Sequence, residues 1–533
     1  MTRSVAVEPP ARPAGLHEMC NVGDLLVTAI ARGGDRTAFI FEDRHLSYRE
    51  FGRQVSRLIQ ALEARGLKRG DFVATLSANR PEAFLVTAAA YVMGLCVTWM
   101  NPTSSEEDHA YILADSGVKT LFVDPENFSA RARALLERVP NVERVFGLGP
   151  HAPGEDILAA LDAYAPQPLS PRANPDDLCV LVYTGGTTGK PKGVMHTHRT
   201  HVAMAQGELS DWDWPAETRF LALTPVTHAA GAIILPVLLR SGTFVMTQGF
   251  EPVKFMRLVE QHRITGTFLV PTMLYVLLDH PQLADADLSS LKLIVYGAAP
   301  MSPARLTEGI RRLGPVFMQL YGQSEMPMAI TVLRQADHDP ERYPHRLASC
   351  GTPVSGNQIR LLDERGAEVP PGEVGEICAR GPLVMAGYWN KPEETAHAFR
   401  HGWLYTGDLA RQDEDGFLYI VDRSKDMIIT GGFNVFPREV EDVIGTHPAV
   451  ANVAVIGVPD PKWGEAVRAA VVLRDGAKTT ADELIALVRQ HKGPVHAPKA
   501  VDFVDSLPVT GLGKLDKKAL RARYWTDQQR AVS

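Results

Sequence analysis

The sequence predicts an α/β protein. A large N-terminal domain of parallel-rich sheets covered by helices, with a small β-barrel-like part, is followed by a small α+β C-terminal domain. Three observations predict it. Over the first part of the chain, short apolar runs alternate with amphipathic stretches, the rhythm of parallel sheets joined by helical crossovers. After about residue 350 the pattern becomes short alternating runs broken by turn residues, as in antiparallel hairpins. A charged break at residues 422–426, Asp-Arg-Ser-Lys-Asp, then sets apart a final region close to the usual size of one domain. At 533 residues the chain is also long enough for more than one domain.

Taken in order, residues 1–20 read as a polar, proline-broken tail, residues 21–424 as the large domain and residues 425–533 as the small one. Residues 38–42 alternate like a strand. Ser47 and Glu50 then form a capping box that opens a helix. Phe51, Val55, Leu58, Ile59 and Leu62 fall on one face of that helix, and Gly66 can stop it in the left-handed conformation. Residues 71–76 read as the next strand. Residues 84–100 (FLVTAAAYVMGLCVTWM) are the most membrane-like stretch. They fall short of the ~20 residues a span needs and carry threonines, so a buried helix running into a strand is expected. Strand-then-helix units recur at residues 119–124, at 267–270 with a helix after Pro271, and at 293–296 with a helix after Pro300. Residues 358–380 (QIRLLDERGAEVPPGEVGEICAR) read as hairpins.

Composition narrows the function classes. With 45% hydrophobic and 22% charged residues the chain has a soluble globular balance, which excludes a wholly disordered or collagen-like chain. Its net charge of −7 does not advertise a nucleic-acid partner, which needs clustered Lys and Arg. Cys20, Cys96, Cys179, Cys350 and Cys378 are scattered, odd in number and never in a CxxC pair. This argues against a disulfide scaffold or structural zinc and suits a reducing compartment. The N-terminus has no apolar signal-like core, so a cytoplasmic location is expected.

The strongest local signal is residues 181–198, LVYTGGTTGKPKGVMHTH. An apolar strand feeds a run of Thr184, Gly185, Gly186, Thr187, Thr188, Gly189 and Lys190. Glycines let backbone bend around an anion, while N–H groups, hydroxyls and a lysine donate to phosphate oxygens. A P-loop NTPase needs GxxxxGK[ST] leading into a helix. Here only three residues separate Gly185 from Gly189, and Pro191 stands where Ser or Thr should be. This is a phosphate loop of another kind.

That loop resembles the signature loop of the adenylate-forming superfamily, which comprises acyl- and aryl-CoA synthetases, adenylation domains of peptide synthetases and firefly luciferases. Further motifs follow in the family order: PVTHAAG (225–231), YGAAP (296–300), YGQSE (321–325), YTGD (405–408), DRSKDMIITGGFNVFP (422–437) and PVTGLGK (508–514). The resemblance spans residues 22 to 520, about the whole chain, and is greatest to the acyl- or aryl-CoA synthetases. Within YGQSE, the Tyr321 ring can stack on a base, Gly322 permits close approach and Glu325 can offer a hard oxygen to Mg²⁺.

The resemblance implies that Ser324 bonds the α-phosphate, Glu325 holds the magnesium, Asp408 accepts from both ribose hydroxyls and Arg423 lies beside it. Gly297, Ala298 and Ala299 would let adenine slide past the backbone. Lys514 would sit between carboxylate and α-phosphate during adenylation, as a compact cation suited to growing negative charge. Lys425 marks the hinge about which the C-terminal domain swings after acyl-AMP forms, bringing Gly431 and Gly432 to line a pantetheine tunnel with Trp463 along the CoA path. His228 would gate the acyl pocket. Where amino-acid adenylation domains carry an aspartate stands Ala229, which argues against an amino-acid substrate.

Ala229, Ala230, Gly231, Gly322 and Met326 leave an adaptable apolar space, favouring a sizeable fatty, aryl or polycyclic acid. The resemblance thus implies an ATP- and Mg²⁺-dependent acid:CoA ligase with coenzyme A as acceptor, catalytic residues Thr184, His228, Glu325 and Lys514, no nucleic-acid partner and no membrane span. A homodimer is left open. An adenylase that loads a separate carrier protein, and a silent nucleotide-binding regulator, stand as the alternatives.

Overall fold

The alternation of apolar runs and helices builds two large sheets with parallel interiors. The structure, a computed structural model, describes residues 19–184, 191–423, 426–510 and 515–525. One sheet has eight strands in the order Gly387–Tyr388, Lys192–Thr197, Leu178–Thr184, Cys96–Met100, Phe72–Leu76, Thr120–Val123, Arg144–Gly147 and Glu155–Asp156. The first two of these add antiparallel at one edge, and the rest pair in parallel. The other has nine, running Thr352–Pro353, Met326–Leu333, Phe317–Gln323, Leu293–Tyr296, Gly266–Leu269, Arg219–Ala222, Thr243–Met246, Thr37–Phe41 and Arg44–Ser47. It is parallel in its middle and antiparallel at both margins.

The expected elements lie within a few residues of their sequence positions. The helix after Ser47 runs Tyr48–Ala64, buries Phe51, Val55, Leu58, Ile59 and Leu62, and is followed by Gly66 at φ +82. Only half of the capping box forms: the Ser47 hydroxyl accepts from the Glu50 N–H at 3.2 Å, while the Glu50 carboxylate turns toward Arg53 and Gln54. Residues 84–100 are the buried end of helix Pro81–Met93 and the strand Cys96–Met100. Among the described residues no helix is long and apolar enough to cross a membrane. Phe39, Phe51 and Phe84 pack ring on ring, with centroids 5.0 Å apart for the first pair and 5.9 Å for Phe51 and Phe84. Each such buried ring contributes about 1.5–3 kcal/mol relative to exposure.

After residue 350 the chain forms a five-stranded antiparallel sheet from Gln358–Leu362, Gly375–Arg380, Phe399–Arg400, Trp403–Gln412 and Leu418–Arg423. A further five-stranded sheet, from Ile428–Thr430, Phe433–Val435, Val450–Asp460, Gly464–Leu473 and Ala500–Phe503, packs against helices Pro437–Gly445 and Ala481–Lys492 around its own apolar cluster. Contacts from this last part back to the large sheets include polar ones: Arg438 Nη2 donates to the Met301 carbonyl at 2.6 Å, and Arg474 reaches Asp279 and Glu308 at 3.5 Å. All five cysteines are unbridged, four of them buried.

Candidate active site

Thr184 ends the strand Leu178–Thr184, and the chain returns antiparallel as Lys192–Thr197 with Thr184 opposite Lys192. The two ends of the phosphate loop are therefore pinned in one hairpin. Gly185, Gly186, Thr187, Thr188, Gly189 and Lys190 lie outside the described residues, as do Lys425 and Lys514. On its other side the returning strand pairs with Gly387–Tyr388, with Val194 opposite Tyr388. The Lys192 ammonium lies 5.2 Å from the centre of the Tyr388 ring.

A second hairpin carries the YGQSE motif. Phe317–Gln323 and Met326–Leu333 pair with Gln323 opposite Met326, so Ser324 and Glu325 form its two-residue tip. Three groups hold that tip. The Tyr388 hydroxyl donates to Glu325 Oε1 at 2.7 Å, the Met385 N–H donates to the Glu325 carbonyl at 2.9 Å, and the His196 ring meets the Ser324 carbonyl through Nε2 at 2.7 Å. A carbonyl only accepts, so Nε2 carries the proton. Burial pushes the His196 imidazole down to about 4, which keeps it neutral. The hairpin itself requires a glycine at Gly322, because a Cβ there would stand 2.5 Å from the Met328 backbone nitrogen.

Asp408 is 4% exposed and ringed by donors. Its Oδ2 accepts from the Tyr321 hydroxyl at 2.7 Å and from Gln323 Nε2 at 2.5 Å, and its Oδ1 from Arg423 Nε at 3.2 Å. Arg423 stands directly opposite it across the Trp403–Gln412 and Leu418–Arg423 strands. The Asp408 carboxylate raises the Arg423 guanidinium further; burial, then Asp408, raise the Tyr321 phenol. Tyr321 thus spends its hydroxyl on Asp408 and its ring in the core. Glu376 accepts from the Gly407 N–H at 2.7 Å, and its own carboxyl is pushed up by burial.

Of the residues expected to line an acyl pocket, His228 to Gly231 open helix Ala229–Leu239, while Gly322 and Met326 lie on the YGQSE hairpin. His228 and Ala229 are half-buried, Ala230 and Met326 are fully buried, and the His228 Nδ1 lies 3.1 Å from the Thr227 hydroxyl. A small, partly open cavity beside this motif is lined by Thr75, Phe84, Thr87, Trp99, Val226 and Gly231. Gly297 is buried at the end of strand Leu293–Tyr296, with Ala298 exposed and Ala299 half-buried after it. In the C-terminal sheet, Gly431 and Gly432 form the two-residue turn between Thr430 and Phe433. Both have positive φ, +57 and +84, as such a hairpin turn requires. The Gly431 N–H donates to the Trp463 carbonyl at 2.8 Å, and the Trp463 ring is flanked by the Lys462 and Lys499 ammonium groups.

The Ser324–Glu325 tip, Asp408 and Arg423 are therefore brought together through Tyr321, Gln323 and their hydrogen bonds, and Thr184 joins them through the hairpin that carries His196. His196, Gln323 and Tyr388 complete that cluster although the sequence did not single them out. His196 lies inside the quoted phosphate-loop segment and Gln323 inside YGQSE, but nothing local shows that their side chains turn inward.

Two large sheets, a β-rich part and a separate C-terminal α+β part make the architecture of adenylate-forming enzymes. The chain belongs to the AMP-binding enzyme family: residues 26–389 match its model, and residues 439–514 match that of the AMP-binding enzyme C-terminal domain. It is 49% identical over 525 residues to the medium/long-chain-fatty-acid–CoA ligase FadD8 of Mycobacterium tuberculosis, covering 96% of this chain and 91% of that one. It is 39% identical to a feruloyl-CoA synthase of an Amycolatopsis species, covering 93% and 96%. Among solved structures, the amide bond synthetase McbA of Marinactinospora thermotolerans superimposes with a TM-score of 0.87 at 37% identity, covering 95% of this chain and all of that one.

Proposed function

We propose that this protein is an ATP-dependent, AMP-forming carboxylic acid:CoA ligase acting on a sizeable apolar acid, fatty, aryl or polycyclic. The observation that carries the reading is the Asp408 carboxylate, held by Tyr321, Gln323 and Arg423 beside the Ser324–Glu325 tip. Relatives named as medium/long-chain-fatty-acid–CoA ligase and feruloyl-CoA synthase support the CoA acceptor and the apolar acid. The substrate carboxylate attacks the α-phosphorus and pyrophosphate leaves. The CoA thiol, losing its proton, then attacks the acyl carbon and AMP leaves.

In this reading the loop from Thr184 to Lys190 holds the phosphates, Ser324 the α-phosphate and Asp408 the ribose. Lys514 stabilises charge in the first step. Among the described residues no three His, Cys, Asp or Glu side chains cluster as a metal site. A single carboxylate plus phosphates and water suits Mg²⁺, so Glu325 fits as its protein ligand. When bound, the ion would neutralise phosphate charge. His228 orders the acyl end, and Gly431, Gly432 and Trp463 face CoA. Residues 21–424 form the catalytic unit, residues 425–533 the mobile one, with Lys425 as hinge. Unbridged thiols favour the cytoplasm.

The test is to incubate the pure protein with ATP, Mg²⁺, CoA and a panel of fatty, aryl and polycyclic acids, and to read products by mass spectrometry. An acyl-CoA is expected and names the substrate class. Acyl-AMP without thioester would overturn CoA as acceptor, and absence of both from every acid would overturn the ligase reading.

A further inference from the structure

The Ser324–Glu325 tip is held from outside its own hairpin, and one of the holding groups is a buried histidine of the strand that leaves the phosphate loop. His196 is 1% exposed, and its Nε2–H donates to the Ser324 carbonyl at 2.7 Å. Its Nδ1 is buried with no partner among the described residues, so the ring makes one polar contact, and that contact goes to the tip. Packing fixes the ring. The His201 ring lies edge-on at 5.7 Å, and His201 is itself wedged against Trp99 and Tyr91, each at 6.2 Å.

A buried imidazole with one nitrogen unsatisfied costs stability, on the order of 1–3 kcal/mol for the orphaned group. An apolar side chain at this strand position would avoid that cost but would leave the Ser324 carbonyl without its donor. The peptide joining Ser324 to Glu325 carries that carbonyl. Together with the Met385 N–H on the Glu325 carbonyl, the bond to this carbonyl anchors the backbone of the two-residue tip from which the Ser324 hydroxyl and the Glu325 carboxylate project. Lys192–Thr197 also begins at the loop that receives the phosphates and pairs with the strand bearing Tyr388, whose hydroxyl grips Glu325.

We propose that His196 is a positioning residue for adenylation: by donating to the Ser324 carbonyl it locks the Ser324–Glu325 tip against the strand that follows the phosphate loop. It touches neither nucleotide nor acid and acts through Ser324. The activity part of its test rests on the ligase reading; the binding part does not.

Two substitutions of equal polarity separate this role from mere core filling. The His196→Gln amide nitrogen falls near the position of Nε2 and can reach Ser324, whereas that of His196→Asn falls near Nδ1 and cannot. Binding of Mg²⁺ with α,β-methylene-ATP is measured by calorimetry, acyl-AMP formation by pyrophosphate release, and thioester formation from supplied acyl-AMP. We expect His196→Asn to weaken nucleotide binding about 5-fold and slow adenylation about 10–30-fold, with thioester formation within about 2-fold of the parent. His196→Gln should return both affected quantities to within about 3-fold of the parent. Equal behaviour of the two variants, or equal loss in both half-reactions, would overturn the proposal. A parent protein that forms no acyl-AMP overturns the ligase reading instead, and calorimetry on the two variants still decides the role of His196.

Discussion

Asp408 shows how a buried carboxylate can have its hydrogen-bonding capacity met. Three donors converge on its two oxygens, from Tyr321, Gln323 and Arg423, and such charge-assisted bonds are roughly twice as strong as neutral ones. Asparagine there would keep the volume but turn one acceptor into a donor facing donors. Asp408→Asn is therefore expected to raise the KM for ATP roughly tenfold with a smaller change in kcat, read from steady-state kinetics. An unchanged KM would remove Asp408 from the nucleotide site. YTGD made Asp408 visible as a candidate, and its family resemblance made Arg423 its companion. The amide of Gln323 carried no such mark, because a glutamine in a turn motif faces solvent as readily as it faces a neighbour.

At the scale of the element, the helix His198–Asp211 breaks the usual division between apolar and charged faces. Its Gly207 lies against Ala329 and Val354, and Glu208 beside it is fully buried, with neither carboxyl oxygen bonded among the described residues. Burial raises the Glu208 carboxyl well above the usual carboxylate range. Below about pH 4 the folded and unfolded states both hold the proton, and the group costs nothing through ionisation. As pH rises, the unfolded chain ionises first, so the folded state loses stability until the raised folded value is reached. Glu208→Gln should therefore melt a few degrees above the parent at pH 8, with the gap closing toward pH 4.5, as followed by calorimetric melts. A gap independent of pH would mean that Glu208 is paired or hydrated. A glutamate within a helix ordinarily marks the solvent side, so sequence periodicity gives no warning of this one.

For the whole molecule, the large sheets and the C-terminal part each keep their own apolar cluster, and the contacts from Arg438 and Arg474 across them are polar. The Arg474 pairs are partly exposed and worth about 0–1 kcal/mol each, while the part-buried bond from Arg438 to Met301 must also break in the proposed swing of the smaller part. In the proposed cycle Lys514 belongs to the adenylating arrangement alone. Lys514→Ala should then lower acyl-AMP formation by about 100-fold or more while thioester formation from supplied acyl-AMP stays within a few-fold. Equal loss in both half-reactions would sink the assignment.

The sequence by itself determined what depends on neighbours along the chain. Alternation placed the strands, and Ser47 the start of its helix. Only the tertiary structure decided which distant groups meet. His196 and Ser324 are 128 residues apart, Tyr321 and Asp408 87, and Glu325 and Tyr388 63. Each of these pairs joins two different sheets, so it is set by how the sheets pack together and by which face each side chain takes. A shift of one residue in register would turn every one of them away.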